Sequence, residues 1–383
     1  MPAATKHPAE LGNSNITLFL SGDLMTGRGV DQVLPFPGDP RLHEAYVSSA
    51  STYVELAEAK SGPIPRPVNF TYVWGDGLSE LRRIGPDARI VNLETSVTRS
   101  DSAWRKAINY KMNSANVPCL TAAGIQCCVL ANNHVMDWGR SGLLDTLDAL
   151  SLAGIATAGA GRNRRDAAEP AILPVSGKGR VLVFSFGSTS SGIPPEWAAG
   201  PDMPGLNLLP DLSQRTAKRI GAEMAERRQS GDVVVASVHW GSNWGYDVPP
   251  EQIAFAHALI GEAACDIVHG HSSHHAKAFE VYRGKLILYG CGDLLNDYEG
   301  IAGRADYRTD LSLMYFPTVI ASSGRLARLV TWPFKIERFR LRHASIGDTA
   351  WLCDRLSREG ASFGTRFVPN DDGAIEATWR DGS

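Results

Sequence analysis

Cysteine is scarce in this chain. There are six in 383 residues, none at Cys-x-x-Cys spacing, and two of them sit side by side at Cys127 and Cys128 inside an apolar run. That leaves no disulfide framework and no thiol redox motif, and all six read as small, reduced, buried hydrophobes. Excess positive charge is also missing: 38 Lys and Arg against 41 Asp and Glu give a net charge of -3, without any Lys/Arg-rich run. Nucleic acid is therefore not an expected partner. No stretch is apolar for long enough to span a bilayer, no internal repeat is visible, and the first residues lack the apolar core of a secretory leader. The expectation is a cytoplasmic protein without a membrane anchor. A hydrophobic content of 43% and a charged content of 21% are ordinary for a soluble globular chain.

What the sequence does have is histidine concentrated in one place. Four of its ten histidines, His269, His271, His274 and His275, fall within seven positions of the stretch Cys265-Asp-Ile-Val-His-Gly-His-Ser-Ser-His-His275. The apolar lead-in reads as a buried parallel strand that delivers polar groups at its C-terminal edge. Gly270 removes a side chain where backbone turns sharply or comes close to a ligand. His271 and His274 have the spacing of two imidazoles converging from one loop, and imidazole serves both as metal ligand and as acid/base near neutral pH.

The pattern repeats along the chain. Ile16–Ser21 is an expected strand that runs into Gly22-Asp23. Asp87–Glu94 ends in a carboxylate, and Gln126–Ala131 opens into Asn132-Asn133-His134. Asp232–His239 ends in histidine and Trp240-Gly-Ser-Asn243. In open α/β sheets the ligand site lies beyond the carboxyl ends of the strands. Five strand ends that each carry a ligand or proton-transfer group make a far more specific signal than any single motif. Helices are expected over 44–60, 77–84, 118–124, from Ser141 as cap through Ala153, over 213–228, from Pro250 to Ala264, and over 348–359. The Gly/Pro/Ser-rich segment 188–211 is long enough to act as a lid. A final hairpin is expected around residues 322–325, with a loose tail after Gly373.

The motifs Gly-Asp-x-Met-x-Gly-Arg (22–28), Asn-Leu-Glu-Thr (92–95), Ala-Asn-Asn-His-x-x-Asp-x-Gly (131–139), His-Trp-Gly (239–241) and Gly-His-x-x-His (270–274) occur in this order. With Val-Tyr-Arg-Gly-Lys-Leu-Ile-Leu-Tyr (281–289), they resemble the CapA-like family of poly-γ-glutamate capsule biosynthesis, within the calcineurin-like metallophosphoesterase superfamily. The resemblance covers roughly residues 16–297. It implies an α/β fold, a four-layer α/β/β/α sandwich of metallophosphoesterase type. It also implies a single domain over 16–345 between a disordered lead-in (1–15) and a C-terminal helix and tail (346–383). By motif, Asp23, Glu94, Asn133, His239, His271 and His274 stand at ligand positions, and His134 would protonate a leaving group. Asp23, His134, His271 and His274 are the catalytic candidates. Arg28, Asn132, Trp240 and Asn243 are expected to meet the substrate.

The chain departs from the family pattern in places. Met25 stands where a phosphoesterase has the histidine of Asp-x-His, Glu94 replaces a bridging Asp, and Asn243 and Gly292-Asp293-Leu294 replace the usual Glu and Gly-Asn-Phe. With one imidazole gone, the expected cofactor is one divalent ion (Mn, Zn or Fe) rather than two, or none. Three readings stay open. They are a metal-dependent hydrolase of a phosphoester or related bond, metal-free acid/base chemistry such as peptide Cα epimerisation, and a non-catalytic accessory role in capsule polymer synthesis. The substrate is a small molecule or peptide.

Overall fold

The strand Asn15–Leu24 shows how one sequence run serves two cores. Successive side chains of a strand point to opposite faces. Leu18 and Leu20 accordingly enter one apolar cluster while Phe19 enters another. The strand Gly179–Gly187 divides in the same way, with Val181 and Val183 on one side and Leu182, Phe184 and Phe186 on the other. Runs apolar on both faces are what strands buried between layers require.

The computed structural model describes residues 15–262, 265–301 and 305–380. Residues 1–14 of the expected lead-in (1–15), and Ala263 and Ala264 of an expected helix, lie outside the described residues, while Asn15 opens the first strand. The fold is mixed α/β. A ten-stranded sheet runs in the order Thr365–Pro369, Ile375–Trp379, Arg325–Ile336, Leu311–Ile320, Asn15–Leu24, Ala88–Leu93, Cys127–Val129, Ala156–Ala158. Asp293–Leu295 also pairs with Asn15–Leu24, and Leu341–His343 with Arg325–Ile336. A six-stranded sheet runs Phe279–Tyr282, Lys285–Leu288, Ile267–His271, Val233–His239, Gly179–Gly187, Ala171–Val175. One apolar cluster draws side chains from both sheets. A second joins the first sheet to the helices Arg28–Val33, Ser51–Ser61, Gly77–Ile84 and Gly139–Leu152. The third joins the six-stranded sheet to Gln214–Arg227 and Pro250–Gly261.

The strands that matter for the site are parallel. Asn15–Leu24 pairs in parallel with Ala88–Leu93, which pairs in parallel with Cys127–Val129; in the other sheet Val233–His239 pairs in parallel with Ile267–His271. Their carboxyl ends therefore emerge together. Two glycines make this geometry possible. A Cβ on Gly22 would lie 1.9 Å from the Gly292 carbonyl oxygen, and one on Gly270 would lie 2.6 Å from the carbonyl oxygens of Leu288 and Tyr289.

Several expectations are corrected. Residues 44–50 are not helical, because backbone bonds from Leu42 to Ser48 and from Ala50 to Pro40 close a turn there; the helix spans Ser51–Ser61. The helix expected from Ser141 begins at Gly139, whose positive φ turns the chain in earlier, and Ser141 lies inside its first turn. The segment 188–211 is not a free lid. It forms short 3-10 turns and a strand Gly205–Leu206 paired with Ala160–Gly161, and its Trp197 is fully buried. The residues after Gly373 are ordered as the strand Ile375–Trp379, which pairs with Arg325–Ile336. All six cysteines are buried and unpaired. Among the described residues no helix is long and apolar enough to cross a membrane.

Candidate functional site

Asp23 lies at the C-terminal end of its strand, after a register shift that begins at Ser21. It is 1% exposed and faces Asn92 on one neighbouring strand and Asp293 on the other. Asn92 donates to its Oδ1 at 2.7 Å, while its Oδ2 is buried with no partner among the described residues. Burial pushes the Asp23 carboxyl up to about 6, opposed first by a hydrogen bond with the Glu94 carboxyl, reinforced by the charge of Asp293, and opposed further by His274 and Asn92. Glu94 is also buried, with Oε2 unpartnered among the described residues. Burial and the Asp23 charge hold its carboxyl well above the ordinary range.

The second sheet supplies the imidazoles. His239 and His271 are in register on adjacent strands, with their Nδ1 atoms 2.7 Å apart. His239 Nε2 lies 3.1 Å from Asn133 Oδ1, and His271 Nε2 lies 2.8 Å from Ser237 Oγ. Behind them, His269 bridges Ser237 Oγ (3.1 Å) and the Ser21 carbonyl oxygen of the other sheet (2.9 Å). Burial drives the His239 and His271 imidazoles well below their usual range, so both rings are neutral. Immediately after His271 the chain passes through Ser272 at φ 106°, a conformation costly for a residue with a side chain. Strained backbone of this kind clusters at functional sites.

His274 sits on the far side of Asp23. Its Nδ1 is 2.9 Å from Asp293 Oδ1 and its Nε2 is 3.0 Å from Asn243 Nδ2. Burial alone would lower this imidazole, but the charges of Asp293 and Asp23 outweigh it and raise it. His134 carries its own support. Its Nδ1 is 2.6 Å from Asp137 Oδ2, its ring stacks on Tyr110 at 4.0 Å, and its Nε2 lies 3.7 Å from Glu94 Oε1. Lys106 Nζ pairs with Asp137 Oδ1 at 2.7 Å and also donates to the Asn133 carbonyl oxygen. Burial pulls the His134 imidazole down to about 4 against the pull of Asp137.

Two groups of donor atoms fall within 4.8 Å of one another, Asp23–His239–His271 and Asp23–His274–Asp293. The first fits a divalent cation: one carboxylate with a free buried oxygen, two neutral imidazoles and a nearby amide oxygen suit a borderline ion such as Zn²⁺ or Mn²⁺. In both groups the ring nitrogens already have protein partners; in the second, one of those contacts is the ion pair between His274 and Asp293.

A cavity of about 1300 Å³ opens beside the cluster. Of the expected residues, Arg28, His134, Asn243 and His274 line it, as do Tyr110, Trp244 and Tyr298. Arg28 gives its Nε and Nη2 to Asp297 and its Nη1 to Glu44 and Tyr53, so its donors serve the protein itself. Asn132 and Trp240, expected to meet the substrate, are fully or nearly buried and off the cavity wall. Asn132 orients the His134 and Val135 amides, and Trp240 donates to the Tyr289 carbonyl oxygen. The sequence reading missed four participants. Asp137 stood in the quoted motif, and Asp293 occupied the departure from Gly-Asn-Phe. Ser237 is two residues before His239 and so on the same face of its strand. Lys106 comes from a loop with no pattern to mark it.

The description "Bacterial capsule synthesis protein PGA_cap" belongs to a family model that matches residues 17–298. Over 368 residues the chain is 45% identical to a "Probable polyglutamine synthesis accessory protein" of Mycobacterium tuberculosis, covering 95% of this chain and 97% of that protein. It is 26% identical over 285 residues to the "Capsule biosynthesis protein CapA" of Bacillus anthracis, covering 74% of this chain and 61% of that protein. With the "PGA biosynthesis protein CapA" of Bacillus subtilis the identity is 29% over 280 residues, covering 72% and 62%. The match thus spans about three fifths of each Bacillus protein. With its motifs in order and most of its length matched, this chain belongs to the PGA_cap family of bacterial capsule synthesis proteins.

Proposed function

We propose that this protein is a metal-dependent hydrolase of a phosphoester or related bond, built on the four-layer α/β/β/α sandwich of the calcineurin-like metallophosphoesterases. The observation that carries this reading is a donor set, all within 4.8 Å, of two neutral imidazoles and the buried Asp23 carboxylate, whose Oδ2 has no hydrogen-bond partner among the described residues. Asp23, His239 and His271 would hold one ion, with Asn133 Oδ1 at hand. An ion held there would supply Lewis-acid polarisation of a phosphoryl or related oxygen. Residues of the chain do the rest. His134, fixed by Asp137 at Nδ1, presents Nε2 to the cavity and passes a proton to the departing oxygen; an arriving phosphoester anion favours the protonated ring. Asn243 and His274 orient the substrate from the opposite wall, Trp244 and Tyr298 pack against it, and a water from the cavity attacks phosphorus, its P–O bond forming as the bond to the leaving oxygen breaks and its surplus proton passing to solvent.

A second reading has its own support. The Asp23 carboxyl pushed up to about 6, close to a His274 imidazole that is raised, resembles a base and acid poised without metal for proton exchange at a peptide Cα. A third takes the word "accessory" in the relative's name as it stands and gives this chain a non-catalytic part in polymer synthesis. One experiment separates them. Purified protein is stripped with excess chelator, then given Mn²⁺ or Zn²⁺, and assayed on a chromogenic phosphodiester and on a glutamyl peptide in D₂O. Hydrolysis that vanishes under chelation and returns with metal supports the hydrolase. Deuterium entering Cα under chelation overturns it in favour of proton transfer, and no turnover under any condition favours the accessory role.

A further inference from the structure

Two fully buried residues behind the cluster, His269 and Ser237, touch no substrate-facing space. Their hydrogen bonds nevertheless fix where protons sit. The Ser21 carbonyl oxygen can only accept, so His269 donates to it from Nε2 across 2.9 Å. A neutral His269 then has a bare Nδ1, which accepts the Ser237 hydroxyl proton at 3.1 Å. Having given its only proton, the Ser237 oxygen accepts from His271 Nε2 at 2.8 Å. His271 Nδ1 is left bare and shares the single proton of His239 Nδ1, 2.7 Å away. The reverse order sets the lone pairs of His269 Nδ1 and Ser237 Oγ against each other. An imidazolium at His269 would be a buried cation with one carbonyl and one hydroxyl as its partners, which is costly.

We infer that Ser237 and His269 are positioning residues that lock His271 as the Nε2–H tautomer and turn its Nδ1 electron pair toward His239, within the donor set that includes Asp23. Imidazoles that bind metal usually donate their other N–H to a fixed acceptor, which sets tautomer and ring orientation. Here that acceptor is a serine whose own direction is set by a carbonyl in the opposite sheet, through His269. The same order of protons leaves His239 Nε2 bare at 3.1 Å from Asn133 Oδ1. Two acceptors facing each other are satisfied by a cation between them, or by Asn133 turning its amide nitrogen inward. The inference rests on the metal site proposed above.

The test uses the full chain, first by ¹⁵N imidazole NMR of the chelator-treated protein and then by calorimetric titration with Zn²⁺ alone. His271 is expected to carry its proton on Nε2. Ser237→Ala, which removes one oxygen and adds no bulk, is expected to release that tautomer and weaken Zn²⁺ binding by about 10–100-fold. Ser237→Thr, which keeps the hydroxyl, is expected to restore both. A wild-type His271 protonated on Nδ1, or a folded Ser237→Ala protein that binds Zn²⁺ as tightly as wild type, overturns this inference and leaves the hydrolase reading standing. A wild type that takes up no Zn²⁺ overturns both.

Discussion

Removing the Asp297 carboxylate is expected to be among the most damaging single changes near the cavity. The Arg28 and Asp297 side chains are 2% and 0% exposed, and the pair is two-pronged, through Arg28 Nε at 3.0 Å and through Nη2. The same carboxylate accepts the Gly29 amide at 3.0 Å. Asp297→Ala leaves a guanidinium buried against Tyr53 and Tyr110 with only Glu44 to balance it. Breaking a buried pair from one side costs about 3–5 kcal/mol, whereas replacing both partners with apolar groups of similar size is often close to neutral. The double change Arg28→Met with Asp297→Leu removes both charges, leaves the Gly29 amide without its acceptor, a cost of about 1–3 kcal/mol, and leaves Glu44 with the Tyr53 hydroxyl in place of its guanidinium partner. The expected order in equilibrium urea unfolding of the full chain is wild type, then the double variant, then Asp297→Ala. Asp297→Ala at less than about 1 kcal/mol below wild type, or a double variant weaker than the single, would refute the claim that the pair is held as a buried charge balance.

Metal uptake has a thermal signature. Zn²⁺ at 100 times its Kd adds about 2.7 kcal/mol. With an unfolding entropy of about 2.1 cal/mol/K per residue, a rise in Tm of about 3 °C is expected in scanning fluorimetry, and Asp23→Asn should erase it. Gly22→Ala would press a methyl group into the Gly292 carbonyl oxygen at 1.9 Å. It should cost about 1–3 kcal/mol or more and abolish Zn²⁺ binding in calorimetry by parting the Asp23 and Asp293 strands. Lys106→Met strips Asp137 of its partner at 2.7 Å; since the Lys106 side chain is 20% exposed, a moderate loss of about 1–3 kcal/mol is expected from urea midpoints.

The parallel strands and the convergence of their ends were legible because both obey local rules. Apolar runs such as 233–238 can be buried only on two faces, and a polar residue at the end of such a run has one place to go. His239 and His271 meet because Val233–His239 and Ile267–His271 are in register, which the sequence implies once both strands are placed. The rest depends on contacts that no short window contains. The C-terminal strand Ile375–Trp379 is stabilised by pairing with Arg325–Ile336, so its own composition does not announce it. Glu44 lies in a stretch of helical composition, yet its carboxylate is held by Arg28 and Tyr53, and residues 44–50 follow it out of the helix. Arg28 was readable as a cationic contact for substrate from its motif, but only the fold reveals that Asp297, 269 positions away, claims it.

Met25 deserves the same treatment, because it decides how much metal the site can hold. Its side chain is buried, and its backbone amide bonds to Leu295 of the neighbouring strand, so the position is structural. The imidazole that a metallophosphoesterase-type site would place here is absent, and Asp293 comes into register with Asp23 on that parallel strand and brings a carboxylate. A carboxylate is not an equivalent exchange. Asp23, Glu94 and Asp293 now crowd one buried space: burial and the charge of Asp293 raise the Asp23 carboxyl against a hydrogen bond from Glu94, while burial and the charges of Asp23 and Asp293 raise Glu94. His274 answers that charge. Its Nδ1 donates to Asp293 and its Nε2 accepts from the Asn243 amide, so both ring nitrogens are engaged. A second divalent cation at Asp23–His274–Asp293 would have to break the ion pair that neutralises Asp293 and also strip His274 of its proton. The set formed by Asp23, His239 and His271 asks for neither. Its imidazoles are already neutral, and Asp23 keeps a free oxygen there, so a single ion is what this charge balance favours.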